Sequence, residues 1–220
     1  MGLVKAVEPT WLAQHGATVE GRYGAVGAMK EALRSGAPCD VMIVTESMVD
    51  ALVASGDLNG AGRTVLGQVR TGVAVPAAAP RPDVGSPAAL SAALLGAEAI
   101  YFPDPERATA GIHFAKVMRE LGLYEQLQPR FRTYPNGATA MREMATAGNA
   151  RAVGCTQVSE ILYTDGVALL GPLPEALGLS TLYTAAVSAK ATVPVLARQF
   201  IELLCGAASR GVRTQAGFEI

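Results

Sequence analysis

The chain has 220 residues, enough for one large or two small domains with a substantial hydrophobic core. Half of the residues are hydrophobic and 17% are charged, a composition that excludes a disordered chain. The formal net charge of −1, with no stripe of lysine and arginine, argues against a nucleic-acid partner. The longest apolar stretches are broken by proline, glycine or charge, so no membrane-spanning helix is expected.

In chain order, the first clear helix is predicted at residues 27–35 and is followed by an apolar run at 39–44 that predicts a buried strand. Residues 47–54 predict a second helix, and 71–75 an extended segment. Both helices are followed by a glycine, as expected at a helix C-cap. The chain therefore begins to alternate between strand and helix.

A proline-rich segment, 76–87, separates this first part from the next and cannot lie inside a sheet. Beyond it the alternation continues to the end of the chain. Helices are predicted at 88–95, 109–121, 139–147 and 194–205, and strands at 99–102, 152–154, 167–170 and 182–187. This order predicts an α/β fold with an open, mostly parallel sheet flanked by helices.

Small residues at a strand-to-helix turn predict the first candidate anion site, at Ala25, Val26 and Gly27. We expect a strand to end near Tyr23 and a helix to start near Ala28, so that backbone N–H groups point at an anion. A tight turn without a ligand explains the same residues equally well.

A second turn, at residues 104–111, follows a predicted strand and opens a long helix. Thr109 is expected to cap this helix, which leaves the amides of Ala110 and Gly111 open to a ligand. Arg107 would add a bidentate donor for a carboxylate or oxyanion. The alternative is an ordinary capped helix in which Arg107 pairs with Asp104 or Glu106.

Two later turns repeat the arrangement. Asn136 and Gly137 precede a helix, and Cys155, Thr156 and Gln157 follow a short strand, with Thr156 and Gln157 as side-chain donors. The carboxyl ends of parallel strands share one edge of a sheet, so these turns are expected to line a single cleft.

Other chemistry is not indicated. His113, in the first turn of its helix, is expected to be neutral and to serve as a base only if the protein is an enzyme. The three cysteines, Cys39, Cys155 and Cys205, lack metal-ligand spacing and are expected to be buried free thiols. We predict no metal site and no cofactor.

These motifs resemble the periplasmic molybdate-binding protein family over nearly the whole chain. The resemblance is carried by GAVGAMKEALRSGAPCDVMIVT, PDPERATAGIHFAKVMRELG, PNGATAM, ARAVGCTQVSEIL and LYTAAV. It implies a two-lobed type II periplasmic-binding-protein fold with two hinge crossings, near 75–80 and 179–185. The lobes expected are 1–76 with 184–220, and 77–183, with an anion in the cleft between them.

The resemblance also implies ligand groups at Val26, Ala110, Gly137 and Cys155. The family has a serine hydroxyl at the position of Val26 and, in well-known members, a tyrosine hydroxyl at that of Cys155. Because neither hydroxyl is present, molybdate and tungstate are expected to bind poorly and a di- or tricarboxylate to bind better.

The function expected from the resemblance is that of a monomeric solute-binding protein of an ABC importer, with a small anionic ligand and a membrane permease as partners. Family members begin with a strand and a serine-bearing turn, whereas residues 1–13 match the family's first helix. We therefore expect a missing first strand, which would uncover Val41 and Ile43 and make the chain marginally stable. Periplasmic location is expected for a full-length form, and cytoplasmic location if the start at Met1 is genuine.

Two alternatives remain open at this point. The first is an isomerase of the aconitate isomerase type, which resembles the same family and shifts a double bond within a tricarboxylate. His113 would be its base. The second is an anion sensor or a non-functional remnant.

Overall fold

A computed structural model describes residues 1–220. The helices are α1 (Gly2–His15), α2 (Val26–Arg34), α3 (Glu46–Ala54), α4 (Pro87–Gly96), α5 (Thr109–Glu120), α6 (Tyr124–Leu127), α7 (Gly137–Thr146), α8 (Val158–Tyr163), α9 (Pro194–Cys205) and α10 (Arg210–Gln215). The strands are β1 (Val41–Thr45), β2 (Leu58–Pro76), β3 (Ala99–Pro103), β4 (Phe131–Tyr134), β5 (Ala152–Gln157), β6 (Val167–Pro172) and β7 (Ser180–Ser188). No helix is both long and apolar enough to cross a membrane.

The alternation of strands and helices confirms the predicted α/β class. Two local predictions were wrong. Residues 17–25 form no strand before α2, and the segment 58–70, predicted as no element, is the first part of the long strand β2. In this segment, LNGAGRTVLGQVR, apolar and polar residues do not alternate regularly and three residues are glycine. The two-residue repeat typical of a strand is therefore not visible in the sequence.

The chain divides into two compact units. Unit 1 comprises Met1–Val69 and Thr181–Ile220, and unit 2 comprises Arg70–Ser180. Each unit has its own hydrophobic cores on both faces of its strands. The lobes expected from the sequence, 1–76 with 184–220 and 77–183, stay a prediction.

Unit 1 has the strand order β1-β7-β2, and β1 pairs with β7 antiparallel. The side chains of β1 alternate between two cores, as the period of a strand requires. Met42 and Val44 pack with α2 and α3. Val41 and Ile43 are half-buried against α1 and α9, which supply the cover that the sequence analysis expects them to lack.

Unit 2 has strands in the order β6-β2-β5-β3-β4. β3 is parallel to both β4 and β5, as expected for strands joined by α5 and α7. β2 is antiparallel to β5 and β6, so the sheet is mixed. The parallel pairing expected from helical crossovers therefore holds only where a helix joins neighbouring strands.

Helices cover both faces of the unit 2 strands. One core contains α4 and α5 residues with Val73, Phe102 and Cys155. The other contains α7 and α8 residues with Ala74 and Tyr101. Alternate residues along β2, β3 and β5 therefore face different helices. We call these the α5 face and the α7 face.

The first turn of α5 lies unusually close to the end of β3. A Cβ on Gly111 would be 2.2 Å from the carbonyl oxygens of both Pro103 and Asp104. These are backbone atoms and cannot rotate away as a flexible side chain can. Glycine at position 111 is therefore required for α5 to begin where it does.

Replacing Gly111 with alanine is expected to destabilise the protein by about 1–3 kcal/mol, the range for inserting a methyl group into a packed site. Urea unfolding followed by circular dichroism measures this free energy. Gly96→Ala is the matched control, because a Cβ there has no atom within 4 Å. The control should leave stability unchanged or raise it slightly, and equal losses in the two variants would contradict the close approach.

Candidate functional site

Three loops of unit 2 start at the same edge of its sheet. β3 is parallel to β4 and β5, with Pro103 opposite Tyr134 and Tyr101 opposite Gly154. The loops that follow these strands therefore begin side by side. The predicted residues lie at this edge. Those after β3 and β4 are in the loops or the first helical turns that follow, namely Arg107, Thr109, Ala110, Gly111, Asn136 and Gly137, and Cys155, Thr156 and Gln157 are the last three residues of β5.

The turn that leads into α5 is organised by Asp104. Its carboxylate Oδ1 accepts hydrogen bonds from the amides of Glu106, at 2.8 Å, and Arg107, at 3.1 Å. Its carbonyl oxygen accepts one from the amide of Ala108, at 3.1 Å. Ala108, not Thr109, is the N-cap of α5, and it offers no side-chain acceptor, so the predicted cap was wrong.

The first three amides of α5 are open. The N–H groups of Thr109, Ala110 and Gly111 have no acceptor within the chain, since no earlier turn of helix supplies their carbonyl partners. Ala110 and Gly111 are nevertheless buried. Burying an amide N–H without a partner destabilises the fold by about 1–3 kcal/mol. The amides of this turn can therefore donate hydrogen bonds to an acceptor group from outside the chain.

The start of α7 is closed by contrast. Asn136 is its N-cap, and the side-chain oxygen accepts a hydrogen bond of 2.9 Å from the amide of Thr139. The amide of Ala138 donates to Glu160 Oε1 at 3.2 Å. Two of the first three amides of α7, those of Ala138 and Thr139, are therefore engaged by the protein's own side chains, whereas the amide of the predicted residue Gly137 is not.

Glu160 was missed by the sequence analysis. Its Oε2 accepts a hydrogen bond of 2.5 Å from the hydroxyl of Thr156, which was predicted as a ligand donor. Burial raises the pKa of Glu160, while hydrogen bonds from Thr156 and from the amides of Ala138 and Gln157 act in the opposite direction. Its only signal in the sequence is a glutamate in the first turn after β5, a pattern that equally fits a solvated helix.

Thr71 is a second residue that the sequence analysis missed. It lies on β2 opposite Gln157, is fully buried, and its hydroxyl has no hydrogen-bond partner. Strand parity places it on the α5 face, as for Val73 and Cys155. The sequence indicates this residue only by a single threonine at the start of the apolar run 71–76.

Cys155 and Gln157 share the α5 face but differ in role. The Cys155 side chain is fully buried within the core that holds Phe102 and Phe114. It therefore packs the sheet against α5. Gln157 is 4% exposed, at the very end of β5, and carries a polar side chain to the edge.

Arg107 and His113 flank the start of α5. Arg107 is exposed, with its backbone amide bound by Asp104. His113 is half-buried, and its Nε2 donates to the carbonyl oxygen of Leu177 at 2.8 Å. Because Nε2 holds a proton in this bond, only Nδ1 can accept one.

The remaining predicted residues, Ala25, Val26 and Gly27, belong to unit 1. Ala25 is the N-cap of α2 and has no capping side-chain bond. The amides of Val26, Gly27 and Ala28 have no acceptor within the chain, so α2 resembles α5 in having an open start.

Helix starts with open amides at the edge of helix-flanked strands are typical of α/β proteins that bind small anionic ligands. The chain belongs to the bacterial extracellular solute-binding protein family, whose model matches residues 1–219.

Solved structures share the fold at low sequence identity. The periplasmic molybdate-binding protein of Azotobacter vinelandii superposes with a TM-score of 0.82 at 19% identity, covering 100% of this chain and 94% of that one. The sulfate-binding protein SubI of Mycobacterium tuberculosis gives a TM-score of 0.75 at 17% identity, covering 99% and 82%. Among curated proteins, an aconitate isomerase from Pseudomonas sp is 28% identical over 178 residues, which is 80% of this chain and 66% of the isomerase.

The three free cysteines provide a test of this packing. Burial raises the pKa of the Cys155 thiol well above its ordinary value, and burial also raises the pKa values of Cys39 and Cys205, which are half-buried. Alkylation requires an accessible thiolate. In the native protein, iodoacetamide followed by peptide mass spectrometry should modify Cys39 and Cys205 slowly and Cys155 only after denaturation. Rapid native labelling of Cys155 would contradict its place in the core.

Proposed function

We propose that this chain is the solute-binding component of an ABC importer and that its ligand is a small organic carboxylate, held in unit 2 at the start of α5. The observation that carries the proposal is the buried first turn of α5, in which three backbone amides have no acceptor. The positive end of the helix dipole adds a favourable field for an anion at this position.

Side chains on the α5 face complete the proposed site. Thr71, whose hydroxyl is unpartnered, lies within β2 opposite Gln157 at the end of β5, and both are polar residues at a buried position. Arg107 is exposed at the turn and would approach the outer oxygen of a longer anion. The names of the molybdate- and sulfate-binding structures also support a small anion as the ligand.

A carboxylate is favoured over a tetrahedral oxyanion. An oxyanion with four oxygens needs donors on several sides, and the resemblance places valine and cysteine where the molybdate-binding family has hydroxyl groups. The core position of Cys155 leaves no donor there. Each missing hydrogen bond to a charged group lowers affinity by about 1.5–3 kcal/mol.

Delivery to a membrane permease follows from the family rather than from a contact in this chain. Proteins of the extracellular solute-binding family act outside the cytoplasmic membrane, so we propose a periplasmic location for the full protein and a permease as its partner.

Thr109→Pro tests the amide site directly. Proline at the first helical position removes one N–H at little cost, and Ala108 already has the extended conformation that precedes proline. The loss of one hydrogen bond to a charged ligand should weaken carboxylate binding about 10- to 100-fold. Calorimetric titration with acetate, succinate, tricarballylate, sulfate and molybdate measures the effect.

Thr109→Ala is the matched control, since it keeps the amide and removes only the hydroxyl. We expect its affinity to stay close to that of the wild type. Sub-micromolar binding of molybdate by the wild type would overturn the preference for carboxylates, and equal binding by Thr109→Pro would overturn the amide site.

A second candidate function is isomerisation of a tricarboxylate. It is favoured by the 28% match to the aconitate isomerase, which covers 80% of this chain. The reaction moves a double bond by removing a proton from a methylene carbon and returning one to the former alkene carbon, so it needs a base at the substrate. His113 would act through Nδ1, since Nε2 is bound to Leu177.

Incubation with trans-aconitate, followed by proton NMR for the cis isomer, distinguishes the two functions. If the chain is an isomerase with His113 as its base, His113→Gln should abolish turnover and leave binding intact, because glutamine still donates to the Leu177 carbonyl. Binding of tricarboxylate without turnover in the wild type would exclude the isomerase.

A further inference from the structure

The segment 173–179, which we call the β6–β7 loop, has both of its ends bound to one residue of β2. The amide of Leu173 donates to the carbonyl oxygen of Thr71 at 2.9 Å, and the amide of Thr71 donates to the carbonyl oxygen of Leu179 at 2.9 Å. A single turn of 3₁₀-helix, Glu175–Leu177, lies in the middle of the loop. The loop is therefore a compact unit that is attached to the sheet at Thr71.

One side-chain hydrogen bond joins the middle of the β6–β7 loop to α5. His113 Nε2 donates to the carbonyl oxygen of Leu177 at 2.8 Å. Side chains of an α-helix lean towards its N-terminus, so the His113 ring points back towards the first turn of α5, which contains Ala110 and Gly111. The loop therefore runs from Thr71 on β2 to the helix start that has open amides.

The β6–β7 loop is buried on its inner side and exposed on its outer side. The side chains of Leu173 and Leu177 are buried in the core that contains the α5 residues, whereas Glu175 and Ala176 are exposed. The hydroxyl of Thr71, on the α5 face, is fully buried beside the two ends of the loop. A ligand reaches this hydroxyl and the buried amides of α5 only when part of their cover moves.

Few bonds hold the β6–β7 loop to its surroundings. Two backbone hydrogen bonds at Thr71 and the side-chain bond of His113 join it to β2 and α5. Segments with few such bonds open locally at a lower free energy than core strands. A cavity of about 690 Å³ borders the loop, is lined also by residues of 81–85 and 169–172, and has no α5 residue in its lining. It leaves space into which the loop can move away from the helix.

We propose that the β6–β7 loop is a lid over the ligand site at the start of α5 and that His113 is a positioning residue that holds the lid closed. The inference rests on the proposed carboxylate site at α5. His113 acts through the carbonyl of Leu177, and without this bond the loop is held only at Thr71. Because the ligand enters and leaves through the open state, loss of the bond should accelerate both association and dissociation.

His113→Leu tests the lid, since leucine removes the donor and keeps an apolar group beside the core. Without ligand, hydrogen exchange at the amides of Leu173 and Leu177 should become at least tenfold faster, while exchange in β3 and β5 stays unchanged. Dissociation of succinate, measured by NMR exchange spectroscopy, should become at least fivefold faster. The calorimetric affinity should change less than threefold, because the bond to Leu177 is the same with and without ligand.

Two controls separate the hydrogen bond from other effects of the substitution. His113→Gln keeps a donor for the Leu177 carbonyl, so its exchange and dissociation rates should stay within twofold of the wild type. Lys116→Leu adds a leucine to the exposed side of α5 and should change neither rate. Equal acceleration in Lys116→Leu, or throughout β3 and β5 of His113→Leu, would overturn the role of His113.

Gly178→Ala tests the lid with His113 in place. A Cβ at position 178 would be 3.4 Å from the nearest atom, the carbonyl oxygen of Glu175, which is an ordinary contact, and the φ of −73° suits alanine. Alanine restricts the open loop more than glycine does, so exchange at Leu177 and dissociation of succinate should become at least twofold slower. Acceleration in this variant would contradict the lid, and the test remains valid even if His113→Leu folds poorly.

The outcomes distinguish the lid from the proposed function. If no carboxylate binds to the wild type, the proposed function fails and the lid fails with it. If succinate binds and Thr109→Pro weakens it, but His113→Leu leaves loop exchange or succinate dissociation unchanged, the function stands and the lid is overturned.

Discussion

The close approach of α5 to the end of β3 is the constraint on which the candidate site depends. Gly111 lets the helix begin against the carbonyl oxygens of Pro103 and Asp104, where no other residue fits. Asp104 then uses its carboxylate and carbonyl to satisfy the donors of the turn, up to the amide of Ala108. The donors that remain are those of the first helical turn itself. Their open state is thus a consequence of how the backbone packs at the end of β3.

The two helix starts at this edge illustrate opposite solutions to the same problem. Every helix leaves amides unpaired at its beginning, and a protein can satisfy them with its own acceptors or leave them for a ligand. At α7 the acceptors are Asn136 and Glu160, which lies 22 residues further along the chain than Ala138. At α5 the N-cap is Ala108, whose side chain carries no acceptor. The edge therefore has one helix start occupied by the protein's own acceptors and one that is open.

The positions of the helix starts could be predicted from the sequence, but whether their first amides are engaged by other residues of the chain could not. The turns with glycine and other small residues, and the helices after them, could be predicted because they depend on neighbouring residues. Strand parity would also have assigned Cys155 to a core, had β5 been extended to its true end at Gln157. The contact of Glu160 with Ala138 depends on the packing of two helices, and the burial of the Thr71 hydroxyl depends on the pairing of β2 with β5. Neither has a local signal in the sequence.

The division of the chain also bears on how the protein folds. Unit 2 is a continuous segment, whereas unit 1 is assembled from the two ends of the chain. The pairing of Val41 with Val187 in β1 and β7 must therefore close a loop that contains all of unit 2. Closure of so long a loop is entropically costly while the loop is unfolded, and contacts that are distant in sequence form slowly. During synthesis, unit 2 can fold as soon as Ser180 has emerged, and its compact form would then bring the two strands of unit 1 within reach of each other. The ligand-binding edge of unit 2 would on this account be in place before β7 completes the sheet of unit 1.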